Sequence, residues 1–184
     1  NDTTQLQLHE LAGTVGSVFQ NPKSQFYTLL TDTEVIFACE NIGMEKREIL
    51  RRFTETVQDF RLEKLIGKNV SQLSGGEKRM AAIATILAMQ PKIMLMDEPS
   101  TALDPKNRRT LIRTLNALPV TKIIATHDLD LVLETCDRVL LLHDGQIAAD
   151  GPAWEILRDR ALLERHSLEL PFCLAGVAER AKES

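Results

Sequence analysis

Residues 73–104, LSGGEKRMAAIATILAMQPKIMLMDEPSTALD, decide how this chain folds. Ser74-Gly75-Gly76 opens a segment in which Met80, Ile83, Ala84, Leu87 and Ala88 recur at helical spacing until Pro91 stops it. A glycine-rich loop therefore feeds a buried helix. Ile93 to Met96 follows as an unalternated apolar run, the pattern of a strand covered on both faces, and it ends in Asp97-Glu98-Pro99. Asp104-Pro105 reads as the N-cap and first-turn proline of a helix through Leu118, with Leu111, Ile112, Leu115 and Leu118 inward and Pro119 closing it.

The same rhythm extends in both directions. Upstream, Val15 to Phe19 is a short apolar strand that runs into the polar turn Gln20-Asn21-Pro22. Asp32 to Phe60 is helical, with Ile49, Phe53 and Val57 on one stripe of its second half, and Gly67 to Gln72 is a polar loop. Downstream, Lys122 to Thr126 is another buried strand, with His127-Asp128 at its exit and a helix over Leu129 to Thr135. Val139 to Leu142 and Gln146 to Ala149 flank His143-Asp144-Gly145, an Asp-Gly hairpin signal, and Asp150-Gly151-Pro152 turns into a last helix, Trp154 to Arg165. Strands and helices alternate without repeats or low-complexity tracts, which predicts continuous α/β.

Composition bounds the partners. The 184 residues are 43% hydrophobic, enough for one globular core. With 22 Lys+Arg against 26 Asp+Glu the formal charge is −4, so no cationic field exists to displace counterions from a phosphate backbone, and nucleic acid is not an expected partner. Cys39, Cys136 and Cys173 are too scattered for a disulfide framework or a zinc site and suit a reducing compartment. No apolar run approaches the roughly 20 residues of a membrane span.

In open α/β sheets ligands bind beyond the carboxyl ends of the strands, and three strand exits here deliver Gln20, Asp97-Glu98 and His127. Adjacent carboxylates after a strand project to opposite sides, so one can hold a divalent cation while the other reaches an attacking water. A histidine at the next exit can donate to a terminal phosphate oxygen, and Gln20 can orient water or metal. Ser74-Gly75-Gly76 presents backbone N–H groups and the positive end of a helix, a cradle for phosphate. Each of these signals alone is commonly structural. His9, His143 and His166 are read as structural histidines, Met80, Met89, Met94 and Met96 as core filler, and Glu45 to Arg52 as a solvated helix face.

In order and spacing, the signals together make the chain resemble the ATP-binding-cassette (ABC) ATPases over essentially its whole length. Leu73-Ser74-Gly75-Gly76-Glu77 resembles the family's signature peptide, Ile93 to Glu98 its Walker B strand, and Ser100-Thr101-Ala102-Leu103-Asp104 its D-loop; Gln20 matches the Q-loop and His127 the switch histidine. The resemblance implies a P-loop NTPase-like, mostly parallel sheet flanked by helices. On that basis residues 1–20 hold a core strand and the Q-loop, 21–72 an inserted helical subdomain, 73–150 the signature to switch-histidine core, and 151–184 a helical tail. It implies ATP and Mg²⁺ as cofactors, with Asp97 and Gln20 serving Mg²⁺, Glu98 polarising the hydrolytic water and His127 contacting the γ-phosphate. Ser74, Gly75, Gly76 and Glu77 would cap the nucleotide of the opposite protomer in a homo- or heterodimer, with Asp104 lining that interface.

A narrower resemblance rests on Val18-Phe19-Gln20-Asn21-Pro22 with Ser24-Gln25-Phe26, on Glu40-Asn41-Ile42-Gly43, and on His143-Asp144-Gly145 with Asp150-Gly151-Pro152. These are similar to the cobalt and energy-coupling-factor importers of vitamins and transition-metal ions. That implies a prokaryotic subunit on the cytoplasmic face of the membrane, contacting a transmembrane subunit through Asn21 to Gly43.

The family's P-loop, GxxxxGK[ST], is not among these residues: the one Gly-Lys, Gly67-Lys68, is followed by Asn69 and preceded at the required position by Leu62. Beginning at Asn1, the chain looks N-terminally truncated, lacking the first strands and the P-loop, and is expected to be inactive in cis while its signature loop completes a partner's site. Exposed apolar surface, and with it marginal stability or self-association, is expected. Glu77, where glutamine is usual, adds negative charge near phosphate. Two other readings stand beside the transport ATPase: a non-catalytic fragment lending signature and D-loop surfaces to a partner, and a soluble cassette protein of translation or DNA repair, which the short Gln20-to-Ser74 segment and the acidic charge disfavour.

Overall fold

The structure, a computed structural model, describes residues 11, 13–21 and 24–175; His9, Pro22 and residues 176–184 lie outside the described residues. Two compact units divide the chain, 1–125 and 126–184, and the boundary falls inside the 73–150 stretch read as one core.

The first unit runs β1 (Val15–Val18), α1 (Thr31–Asn41), α2 (Lys46–Asp59), a 3-10 turn (Val70–Gln72), α3 (Gly75–Ala88), β2 (Ile93–Asp97), α4 (Pro105–Ala117) and β3 (Thr121–Ala125). The three strands form a parallel sheet in the order β1-β2-β3, with Val18 opposite Met96 and Asp97 opposite Ala125. Every residue of α3 from Arg79 to Ala88 is buried, and its side chains share one core with Val18, Met94, Met96, Leu111 and Leu115. The helix lies so close to β1 that a Cβ at Gly16 would run into Ile86 Cγ2 and sit 3.0 Å from Pro91 Cγ. Only glycine fits there.

Both strands read as fully buried depart from that expectation. Along β2, Met94 and Met96 are buried while Leu95 is 38% exposed, and on β3 Ile123 is 58% exposed. Leu95 pairs with Ser17 and Ile123, so these side chains line the sheet face opposite to Met94 and Met96. An apolar run signals two-sided burial only where both faces carry a layer, and α3 and α4 pack on the Met94 and Met96 side.

The helical stretch Asp32 to Phe60 is two helices, broken at Gly43 with its φ of 74°. Ile49 and Val57 bury the predicted stripe of α2, and Phe53 packs partly buried beside them. Gly67 to Gln72 is more than a polar loop: Asn69 Oδ1 accepts from Ser71 N–H at 2.9 Å, Asn69 bridges Leu30, and Val70 is buried.

The second unit holds α5 (Leu129–Thr135), β4 (Arg138–His143), β5 (Gln146–Pro152), α6 (Ala153–Arg158) and α7 (Arg160–Arg165). The strands pair antiparallel through a turn with Asp144 at φ 49° and Gly145 at φ 73°, the conformation a two-residue Asp-Gly loop favours. The predicted last helix is two, because Asp159 leaves the helical conformation and its Oδ1 accepts from Leu162 N–H to start the second. Val132, Ala153, Leu157 and Leu163 form this unit's own core. Among the described residues no helix is long and apolar enough to cross a membrane.

Candidate nucleotide site

Because β1 and β2 are parallel neighbours with Val18 opposite Met96, Gln20 and Asp97-Glu98 leave the sheet at one edge. Asp97 is the last residue of β2, exposed, on the strand side of Leu95. Glu98 no longer belongs to the strand. Its φ of 47° lies in the left-handed region, so that conformation and not strand alternation sets its direction. For a non-glycine residue this costs about 1–3 kcal/mol and persists only where the surroundings hold it. Here the Glu98 N–H donates to Ala125 C=O at 2.8 Å, its own C=O accepts from Thr101 N–H at 3.2 Å, and its Oε2 accepts from Thr101 Oγ1 at 3.3 Å. The turn continues through Ala102, at φ 62°, into Asp104, whose Oδ1 accepts from Asn107 N–H and Oδ2 from Asn107 Nδ2, both at 2.8 Å. Asp104 thus caps α4.

Ser74 and Glu77 form a reciprocal capping box at the start of α3. Ser74 Oγ accepts from Glu77 N–H at 3.3 Å, and Glu77 Oε2 accepts from Ser74 N–H at 2.8 Å. Those hydrogen bonds hold the Glu77 carboxyl below its ordinary value, so the first turn carries a fixed negative charge. The two glycines differ in surroundings. A Cβ at Gly75 would meet nothing within 4 Å, whereas one at Gly76 would lie 3.3 Å from Asn107 Nδ2 and 3.5 Å from Leu103 Cδ2. Gly76 therefore lets the signature turn pack on the D-loop, and Gly75 leaves the end of the helix open.

His127 is the second residue of the second unit, two residues past the end of β3, and is exposed. Beside it Asp128 N–H donates to Thr126 Oγ1 at 3.1 Å, and Asp128 Oδ1 accepts from Leu131 N–H at 2.9 Å to cap α5.

Three residues that matter to this architecture were not among the expected site residues. Gln25 is buried and continues the edge of β1, its Nε2 donating to Ser17 C=O at 3.3 Å and its Oε1 accepting from Phe19 N–H at 3.2 Å. Arg79, also buried, donates from Nη1 to Phe19 C=O at 3.0 Å and from Nη2 to Gln20 C=O at 2.6 Å. The buried Glu34 carboxylate accepts from the backbone N–H groups of Tyr27 and Thr28 at 3.0 and 2.7 Å, fixing the turn that holds Tyr27 out at 80% exposure. A polar residue inside an apolar helical period was the available sign for Arg79.

The donor set suits Mg²⁺ better than a transition metal. Asp97 and Gln20 offer hard oxygens, and no cluster of three or more His, Cys, Asp or Glu occurs among the described residues. Mg²⁺ keeps much of its water and binds through one or two carboxylates plus phosphate oxygens, which this arrangement allows. Phosphate fits the start of α3, where the first-turn N–H groups of Gly75 and Gly76 have no intrahelical acceptor and no side chain fills the space over Gly75.

A parallel sheet with neighbouring Gln and Asp-Glu exits, and a capped glycine turn packed on the loop that follows, define an ATP-binding cassette. The chain belongs to the ABC transporter family, whose pattern matches residues 1–101. It is 47% identical over 163 residues to a putative ABC transporter ATP-binding protein of Gloeobacter violaceus, covering 87% of this chain and 66% of that protein. It is 37% identical over 173 residues to the energy-coupling factor transporter ATP-binding protein EcfA of Methanothermobacter thermautotrophicus, covering 92% and 56%. Among solved structures, cbiO1 of Clostridium perfringens, part of the ABC transporter complex cbiONQ, superposes with a TM-score of 0.73 at 31% identity, covering 85% of this chain and 64% of that one. A dimeric ATP-binding cassette in a post-hydrolysis state bound to ADP and Pi gives 0.71 at 28%, covering 82% and 69%. The chain spans 66% and 56% of the length of the first two curated relatives.

Proposed function

We propose that the chain belongs to the ATP-hydrolysing subunit of an importer of the energy-coupling-factor type, moving a vitamin or a transition-metal ion such as cobalt. The observation that carries this reading is the shared sheet edge of Gln20 and Asp97-Glu98, with Glu98 held in a left-handed conformation by Ala125 and Thr101. Asp97 and Gln20 would hold Mg²⁺, which when bound offsets charge on the phosphate oxygens. Glu98 orients and polarises the attacking water, and His127 donates to the terminal phosphate. Ser74 to Glu77 and Asp104 face the nucleotide of a second protomer, a homo- or heterodimer partner; the dimeric ADP-bound relative supports this arrangement. The EcfA and cbiO1 likenesses support the importer type.

The transmembrane subunit docks on Asn21 to Gly43, where Tyr27 and Leu29 are 80% and 75% exposed on a turn fixed by Glu34, at the cytoplasmic face of a prokaryotic membrane. Phosphate release from MgATP by the native protein tests the reading. It expects turnover that requires Mg²⁺, and no release above buffer would contradict it. One observation favours a second reading, in which these residues lend only signature and D-loop surfaces to a partner: the 184 residues contain no GxxxxGK[ST]. By themselves they are expected to release little phosphate.

A further inference from the structure

Arg79 is buried to 3% exposure in the second turn of the first unit's core helix, where a long cation is out of place unless something holds it. Its guanidinium spends both terminal nitrogens on consecutive carbonyls of one turn, Phe19 at 3.0 Å and Gln20 at 2.6 Å, sixty and fifty-nine residues away in sequence. Burial pushes the guanidinium below its ordinary value, and the nearby negative charges of Asp97 and Glu98 push it back up. A planar fork offers two donors in a fixed geometry to two adjacent carbonyls, an orientation that the rotatable ammonium of a lysine does not preset. The other side of the same turn is held by Gln25, which pairs with Ser17 and Phe19 as an extra strand would. Five residues before Arg79 on the same helix stands Ser74, at the turn that faces outward.

We infer that Arg79 is the positioning residue that ties the Gln20 turn to the helix carrying Ser74 to Glu77, so that the two move as one body. This rests on the proposed ATPase reading, in which Gln20 serves the site of its own chain and Ser74 to Glu77 serve the site of the partner. A displacement at either loop is then transmitted through one side chain. The clamp gives a structural reason for a buried charge at the start of the helix's fully buried stretch, Arg79 to Ala88.

Two measurements test it. In the first, amide hydrogen exchange is followed at Phe19, whose N–H is bonded to Gln25, and at Ala84 and Leu87 within α3, for Arg79→Lys and Arg79→Met. The expected result is exchange about tenfold or more faster at Phe19 with α3 unchanged, the loss expected when hydrogen bonds from a charged group are removed. Unchanged Phe19 exchange in folded Arg79→Lys overturns the inference, and so does acceleration spread equally over α3. Should Arg79→Met fail to fold, Arg79→Lys decides.

In the second, MgATP turnover of the native protein is measured for Arg79→Lys, Gln20→Ala and the pair. A residue acting through Gln20 lowers kcat at unchanged KM in the wild-type background and adds less than about twofold in the Gln20→Ala background. Independent, multiplicative losses overturn it. Native protein that turns over no MgATP defeats the proposed function instead, and the Phe19 exchange then decides the clamp by itself.

Discussion

At the scale of single residues, backbone conformation separates Glu98 from its neighbour. Asp97 ends a regular strand, while Glu98 sits at φ 47° under three hydrogen bonds, so two adjacent carboxylates meet different surroundings. The DEP motif made the pair legible in the sequence, but strand alternation gave the wrong reason for their divergence, since the left-handed turn depends on Ala125 and Thr101. The glycines divide in the same way. Gly76→Ala is expected to lower the melting temperature by crowding Asn107, and Gly75→Ala to leave it unchanged or raise it, since its Cβ meets open space; thermal melts of the two variants check this. Glu77 carries a pH signature. Its carboxyl lies below 4.5 when folded, so it stabilises the fold above that pH and the contribution disappears as pH falls through the folded value. Wild type should therefore be more stable than Glu77→Gln near neutrality, with the difference closing below pH 4.5 in paired melts. A gap that widened in acid would contradict the capping-box assignment.

Among the elements, α3 was the most legible, because the Ser74 cap, the apolar period and Pro91 all agree and the structure buries that face. What the pattern could not reveal is proximity between elements far apart in sequence. Gly16 reads as an ordinary strand residue until Ile86 and Pro91 are found against it, and no motif links Arg79 to the Phe19 and Gln20 carbonyls that its fork holds. Gly16→Val should accordingly force α3 away from β1 and destabilise the unit by about 1–3 kcal/mol or more, measured by urea unfolding. The strands misled for a related reason: Leu95 and Ile123 are apolar as a two-sided strand requires, yet α3 and α4 both pack on the opposite face, with Met94 and Met96.

At the scale of the whole molecule, the exposed apolar side chains of the parallel sheet favour association. Leu95 and Ile123 are neighbours across β2 and β3, and Phe19, one residue past the end of β1, is 55% exposed. Sedimentation of the 184-residue chain should therefore show a mass that rises with concentration, reduced in Leu95→Thr/Ile123→Thr. A monomer at every concentration would contradict this. Family membership was legible from ordered motifs, while the sheet order and the division into 1–125 and 126–184 were not, because both depend on which strands pair. In the proposed reaction Glu98 polarises the attacking water, and steady-state MgATP hydrolysis by the native protein and its Glu98→Gln variant measures that role. The expected result is a loss of about 10²–10⁴-fold in kcat with ATP binding retained, because the amide would keep the shape and lose the charge assigned to that role. Turnover by Glu98→Gln at the wild-type rate would contradict it.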